Sequence, residues 1–272
     1  MISWARESAD AGADRRLRAV VRALRVAPVK SLRLRSREQL TLTREGVADN
    51  RAFYLIDARG RMVNGKRIGR LAAVIADYDV KAGRLELRFP DGELVAGEVR
   101  LGERVQTRFF SRAAAAAVVR GPFAAALSEY AGERLELVQA TAAGLGVDRG
   151  RRGCVSLIST SSLEHLAQRA GRPVDPRRFR MLIEVEGLAA HEEDLLVGRR
   201  VRIGEALVRF NGHAGRCLVT TLDPDTGAPD LPTLELLAYR RGLETTEPLA
   251  FGIFGEVLEP GRVRIGDALL TS

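Results

Sequence analysis

The chain has 272 residues, of which 46% are apolar, and its 43 basic and 35 acidic residues give a formal charge of +8. This length and apolar content supply a core for one large domain or two ordinary ones, and exclude a disordered or low-complexity chain. The two cysteines, Cys154 and Cys217, are too few for a disulfide framework, a four-cysteine zinc site or an iron–sulfur cluster, so both are expected reduced in a cytoplasmic compartment.

Residues 1–16 read as a loose polar tail without the apolar centre of a signal peptide. From Val20 onward, short β-type runs dominate: Ala52–Ile56, Val74–Val80, Leu85–Phe89 and Val105–Phe110. Asn64-Gly65 and Asp91-Gly92 are hairpin-type turn signals. The most apolar stretch, Ala113–Val119, is too short to span a bilayer, so no membrane association is expected. Three helical patterns follow. Pro122–Ala131 stops at Gly132. Ser162–Ala170 follows a capping box at Ser161-x-x-Glu164. Pro232–Arg241 stops at Gly242. All three are expected to cover a sheet or barrel. Val99–Glu103 recurs as Val201–Glu205 and Val263–Asp267, each read as a strand, a glycine bend and a second strand. A Gly- and Arg-rich stretch over Thr141–Gly153 reads as a linker. The expected division is therefore a tail over 1–16, an N-terminal β-barrel module over 17–140 and a second domain over 141–272. The fold class is mainly β with some α: a β-barrel core, an N-terminal β-rich module and a few covering helices.

Several motifs look like chemistry without completing it. Gly60-x-x-x-x-Gly65-Lys66 nearly spells a phosphate-binding loop, but Arg67 replaces the hydroxyl that should hold magnesium, so a turn is expected. Gly144-x-Gly146 with Gly150 misses the dinucleotide fingerprint. His191-Glu192-Glu193-Asp194 reads as a solvated turn, and His165 as a surface or boundary residue. His213 and Cys217 lack the further ligands zinc requires. No Gly-x-Ser-x-Gly elbow supports a serine hydrolase. Lysine occurs only at Lys30, Lys66 and Lys81, so the basic excess is almost all arginine. It either spreads over solvated faces or forms a surface for acidic partners. No basic run is interleaved with aromatics, which argues against nucleic acid.

Cys217 is the thiol with the most informative surroundings, Gly215-Arg216-Cys217-Leu218-Val219-Thr220-Thr221-Leu222-Asp223-Pro224-Asp225-Thr226-Gly227. From residue type alone it could be a nucleophile, a redox centre, a metal ligand or packing. The stretch resembles the core signature of the MOSC domain family, Arg-Cys-x-x-Thr-Thr-x-Asp-Pro-x-Thr-Gly. A second segment, Pro28-Val29-Lys30-Ser31-Leu32, Gly46 and Asp49–Asp57, is similar to the family's N-terminal β-barrel module, with its Val-Lys-Ser and Asp-Arg-x-aromatic pattern. Phe179-Arg180 resembles the family's Phe-Arg-Pro segment. With weaker stretches the resemblance runs along nearly the whole chain from Val20.

The resemblance implies a molybdenum cofactor (Mo-molybdopterin), and nothing in it implies pyridoxal phosphate. In amidoxime-reducing members the cysteine of Arg-Cys is the protein ligand to molybdenum, which carries over to Cys217 as metal ligand and catalytic residue. A soft thiolate suits a site already rich in sulfur, and its neighbour Arg216 would favour the thiolate. Lys30, Ser31, Arg51, Arg180 and Arg216 carry over as cofactor-binding residues, with guanidiniums suited to phosphate. Departures are Met181 for the usual Pro, Arg178 where relatives often have Asn, and Arg151-Arg152-Gly153-Cys154 without the hydroxyls expected near the phosphate. No membrane anchor and no iron–sulfur extension are expected. The implied activity is oxidoreduction of N-hydroxylated small molecules (amidoximes, hydroxylamines, N-hydroxylated bases), with electrons from a separate flavin or heme protein that the arginine excess could steer. Two alternatives stand beside it: a non-redox module that carries sulfur or the cofactor, and an anion- or nucleic-acid-binding β-barrel.

Overall fold

The structure is a computed structural model describing residues 19–141 and 149–271; the expected tail and the Gly144-x-Gly146 stretch lie outside the described residues. The strands of the first half are β1 (Ala19–Val26), β2 (Arg35–Arg37), β3 (Gln39–Leu42), β4 (Phe53–Ile56), β5 (Met62–Val63), β6 (Ile75–Asp79), β7 (Arg84–Arg88), β8 (Leu94–Glu98), β9 (Arg100–Phe109), β10 (Arg112–Arg120) and β11 (Glu136–Ala140). The second half adds β12 (Val155–Ser159), β13 (Ile183–Glu186), β14 (Arg200–Ile203), β15 (Ala206–Gly215), β16 (Ala250–Glu259), β17 (Gly261–Arg264) and β18 (Ala268–Thr271). The α-helices are α1 (Phe123–Ala131), α2 (Thr160–Ala170) and the single turn α3 (Thr233–Leu236). The architecture is mainly β with some α.

Seven strands close into a barrel in the order β13-β12-β16-β15-β14-β18-β1, with β1 returning to β13. β12 and β13 are its parallel pair, which needs a crossover, and α2 supplies it. The barrel is filled by aliphatic side chains, among them Val21, Leu24, Leu157, Ile183, Val201 and Ile253, together with the ring of Phe210. β1 comes from the start of the chain yet pairs with β18 and β13, and β3 pairs with β17. Strand pairing therefore crosses between the two halves of the sequence.

The remainder of the first half forms a five-stranded sheet, β5-β4-β11-β10-β9, and a three-stranded sheet, β6-β7-β8. β4 is buried along its whole length. Period-two alternation sends Phe53 and Leu55 into one core with Leu71, Leu87 and Phe123. Tyr54 and Ile56 face a second core with Phe109 and Val138. α1 covers the first of these cores and stops at Gly132, as its sequence pattern predicts.

Five local readings change. The α2 cap is Ser159, whose hydroxyl accepts from the Ser162 amide, rather than Ser161. The acidic partner expected at Glu164 comes instead from Glu193, which accepts from the Ser159 and Ser162 hydroxyls, both at 2.9 Å. The His191–Asp194 segment is accordingly no solvated turn: it leads into a 3-10 helix over Glu192–Leu196, with Glu193 fully buried. The third helical pattern breaks after one turn, because Arg240 is drawn onto the Ala250 carbonyl at 2.9 Å and onto Asp194. Asn64-Gly65 turns the chain into a 3-10 helix (Gly69–Ala73), the β4–β5 hairpin having already closed at Gly60. Of the three repeats, Val201–Glu205 and Val263–Asp267 are strand–turn–strand units. Val99–Glu103 instead leads into β9, whose pairing with β10 continues past a register shift at Gly102-Glu103.

All three histidines lie on the α2 side of the barrel. Tyr239 Oη bonds His191 Nε2 at 2.8 Å, and the His165 ring stacks on Tyr239 at 5.5 Å between centroids. His213 Nε2 lies 3.8 Å from Asp194. Burial, reinforced by Arg240, pulls the His191 pKa down to about 4. Between the unfolded value near 6.5 and about 4, the unfolded chain binds the proton that the folded chain refuses, so acid weakens the fold across that window. His191 sits at φ 65, which asparagine tolerates. We expect His191→Asn to flatten the fall in urea midpoint between pH 7 and pH 5, and an unchanged slope would contradict this account.

Candidate functional site

The two halves of the chain meet at a cleft. One wall is the loop after β1, held by backbone pairing: Lys30 N donates to the Phe53 carbonyl at 2.8 Å, and Arg51 N to the Ala27 carbonyl at 2.7 Å. This places Lys30, Ser31 and Arg51 side by side although they lie 20 residues apart in sequence. Ser31 Oγ accepts from the Gly65 amide at 3.2 Å, fixing the Asn64-Gly65-Lys66 turn on the same wall.

The opposite wall is the loop 217–230, and most of its distinctive residues build the loop itself. Cys217 opens a 3-10 helix over Leu218–Thr221, with its carbonyl accepting from Thr220 N and Oγ1, both at 2.9 Å. Asp223 Oδ1 collects the Asp225 amide, the Thr226 amide and the Thr226 hydroxyl at 3.0, 2.8 and 3.0 Å. Gly227 then turns with φ 74 against Gly69. A Cβ on Gly227 would lie 1.8 Å from the Gly69 carbonyl oxygen, and one on Gly69 would lie 2.2 Å from that of Gly227. Arg33, from the first half, bonds the Asp225 carbonyl at 2.9 Å and its carboxylate at 3.2 Å. Arg178, 6% exposed, grips the Asp230 carboxylate and the Leu222 carbonyl.

All six residues singled out from sequence, Lys30, Ser31, Arg51, Arg180, Arg216 and Cys217, line this cleft. Arg180 reaches the Leu32 carbonyl at 2.8 Å, and Arg51 the Arg180 carbonyl at 3.4 Å, tying the walls together. Arg216 donates to the carbonyls of Phe179 (2.9 Å) and Phe251 and to Met181 Sδ at 3.0 Å, all neutral acceptors. Met181, one departure from the family pattern, thus packs on the arginine of the motif. Burial pulls the Arg216 pKa down to about 9, with Arg149 and Arg51 adding to the effect. At neutral pH it remains a cation, and an anion placed beside it would relieve the strain. A second hollow adjoins the first, sharing Arg51, Phe179, Arg180, Gly215 and Arg216, and extends it past Arg149, Cys154 and Arg25.

Backbone strain concentrates here. Ser31 (φ 76), Arg51 (φ 56), Phe110 (φ 55) and Arg180 (φ 53) all line the cleft in the left-handed region. Each costs on the order of 1 kcal/mol relative to an ordinary conformation, and such residues gather at functional sites.

Sequence reasoning missed several lining residues: Asn64, Lys66, Phe110, Arg177 and Asp223 in the cleft, and Arg149 in the adjoining hollow. Lys66 was signalled by the scarcity of lysine. The incomplete nucleotide motif around it masks that signal. For Phe110 the signal was a hairpin tip without Asn or Gly.

Gly227→Ala should lower stability by more than about 2 kcal/mol in chemical denaturation, since the new methyl meets backbone on both counts of conformation and space.

The MOSC N-terminal beta barrel domain matches residues 18–134, and the MOSC domain matches residues 146–270. The chain is 36% identical over 118 residues to mitochondrial amidoxime-reducing component 1 of Mus musculus, covering 41% of this chain and 34% of that one. It is 37% identical over 123 residues to mitochondrial amidoxime reducing component 2 of Homo sapiens, covering 42% and 36%. The matched segment thus spans about a third of each of these curated relatives. Among solved structures, the YuaD protein from Bacillus subtilis is similar at 14% identity and a TM-score of 0.46, over 93% of this chain and 95% of that one. With one domain of the family following the other along nearly all of its described length, the chain belongs to the MOSC domain family.

Proposed function

We propose that the cleft holds the molybdenum cofactor and that the protein is an oxidoreductase for N-hydroxylated compounds. The observation that carries this reading is the convergence of one accessible thiol, Cys217, with Lys30, Ser31, Arg51, Arg180 and Arg216 on a single cleft. The relatives named amidoxime-reducing components support the reaction class.

The residues present fit such a group. A half-buried thiol is a soft ligand for molybdenum. The guanidiniums and the Lys30 ammonium suit a phosphate tail, and the adjoining arginine-lined hollow gives an extended ligand room to continue. Arg178 Nε is buried without a hydrogen-bond partner in a residue lining the cleft, a donor that a bound polar ligand could satisfy. Cys217 would ligate the metal, while Lys30, Ser31, Arg51, Arg180 and Arg216 would grip pterin and phosphate. The bound group would supply a two-electron centre for cleaving an N–O bond. The balance is two electrons and two protons taken up per substrate, with amine and water released. The electrons would come from a separate flavin or heme protein. The chain's own residues orient the group, supply positive potential and limit water.

Protein prepared from cofactor-competent cells should contain close to one molybdenum per chain and reduce benzamidoxime with an artificial electron donor. Cys217→Ala should lose activity by more than about a hundredfold, the scale expected when a ligand of the reacting centre is removed. Full activity in that variant would overturn the ligand role. Molybdenum binding without reduction would favour a cofactor carrier. With an acidic redox protein as donor, the electron-transfer rate should fall as salt is raised, and a flat response would remove the steering role of the arginine excess.

A further inference from the structure

A further hollow, distinct from the one past Arg149, opens from the cleft mouth on the side of the five-stranded sheet. It is lined by Arg61, Met62, Asn64, Arg67, Arg108 and Phe110, and it shares Asn64 and Phe110 with the cleft containing Cys217. Arg61, Met62, Asn64 and Arg67 come from the incomplete nucleotide motif that begins at Gly60 or from the residue just after it.

Phe110 is the unusual residue. It occupies the two-residue tip of the β9–β10 hairpin, where Phe109 pairs with Arg112. Such tips favour asparagine and glycine because they demand positive φ. Phe110 accepts φ 55 and is itself 46% exposed. Neither property helps folding. The ring is nevertheless positioned: Phe109 meets it edge-on at 5.3 Å, and the buried Lys30 ammonium lies 5.4 Å from its centroid. A strained, exposed and supported aromatic at the junction of two hollows is a platform for a planar ring.

The far end of the hollow carries charge. Asp57 pairs with Arg61 at 2.9 Å and with Arg67 at 2.8 Å, and Glu133 also pairs with Arg67. Those carboxylates balance two of the three arginines. Among the described residues no carboxylate pairs with Arg108, whose backbone is fixed by donation to the Gly60 carbonyl at 2.8 Å. The hollow therefore has one surplus guanidinium, suited to an anionic oxygen group.

We infer that this hollow is a substrate subsite that selects planar N-hydroxylated bases carrying a phosphate, the base lying on Phe110 and the phosphate on Arg108. The inference rests on the reductase reading for the identity of the reacting group, but binding at the subsite is measurable without turnover. The amine product of an N6-hydroxylated adenine nucleotide is the ordinary nucleotide, so adenosine 5′-monophosphate and adenosine serve as unreactive probes.

The test is calorimetric titration of the cofactor-loaded protein with both probes. The wild-type chain should bind the monophosphate about tenfold more tightly than the nucleoside, a single charge-assisted contact's worth. Arg108→Ala should reduce that preference to about twofold or less. Phe110→Ala should weaken both probes by roughly tenfold, as expected for loss of one base-stacking contact. Arg104→Ala, on the same strand and outside both hollows, controls for net charge and should keep the preference. Equal affinities in the wild type, or a preference that survives Arg108→Ala, would overturn the subsite. A protein that reduces benzamidoxime but shows no phosphate preference loses the subsite alone. One that keeps the preference but reduces nothing loses the reductase reading alone.

Discussion

The contact between Gly69 and Gly227 sets the geometry on which the cleft depends. Each backbone occupies the space where the other residue's Cβ would be, so the walls approach to a separation that no other residue pair permits. Arg33 on Asp225 and Arg180 on the Leu32 carbonyl then lock the approach by polar contacts crossing the same seam. The thiol and the cations of the N-terminal loop are thus held opposite one another by main chain, which is stiffer than side-chain packing. The Asp, Pro, Thr and Gly of the signature serve this purpose, since their bonds are made within the loop or to its neighbours.

Charge and strain are two sides of the same arrangement. The guanidinium of Arg216 bonds the carbonyls of Phe179 and Phe251 and the sulfur of Met181, which orient it without cancelling its charge as a carboxylate would. Holding cations close together in partial burial is unfavourable, as the depressed pKa of Arg216 records. The left-handed conformations of Ser31, Arg51 and Arg180 add to that expense. A protein selected for stability alone would relax both. Their persistence in one cleft fits a site whose full complement of interactions includes an anionic ligand.

Much of this was legible in the sequence, for identifiable reasons. Period-two runs such as Phe53–Ile56 betray strands because both faces of β4 are buried in distinct cores. Cys217 and Lys30 were findable because each sits in a long ordered motif. What was hidden was set by distant partners. Glu193 looks solvated in sequence, since only the fold brings the Ser159 and Ser162 hydroxyls to it. The helical pattern over Pro232–Arg241 is locally sound, yet Arg240 answers to Asp194 and Ala250 instead. Val99–Glu103 matches its two relatives in letters but not in shape, because β9 is paired with β10 across the supposed bend. Phe110 falls at the end of the Val105–Phe110 run, where the pattern does not tell a strand residue from a hairpin tip, and its role depends on what lies across the cleft mouth.

The pairing of β1 with β18 has a consequence for how the molecule comes into being. A barrel whose first strand must join its last has high contact order, so its closure pays the entropy of a very long loop. During synthesis, Lys30, Ser31 and Arg51 emerge well before Cys217 and the strand that seals the barrel. The N-terminal sheets can fold first, but no partly made chain presents both walls of the cleft. Any ligand that needs both walls can therefore be held only once the barrel strands through β18 have been made.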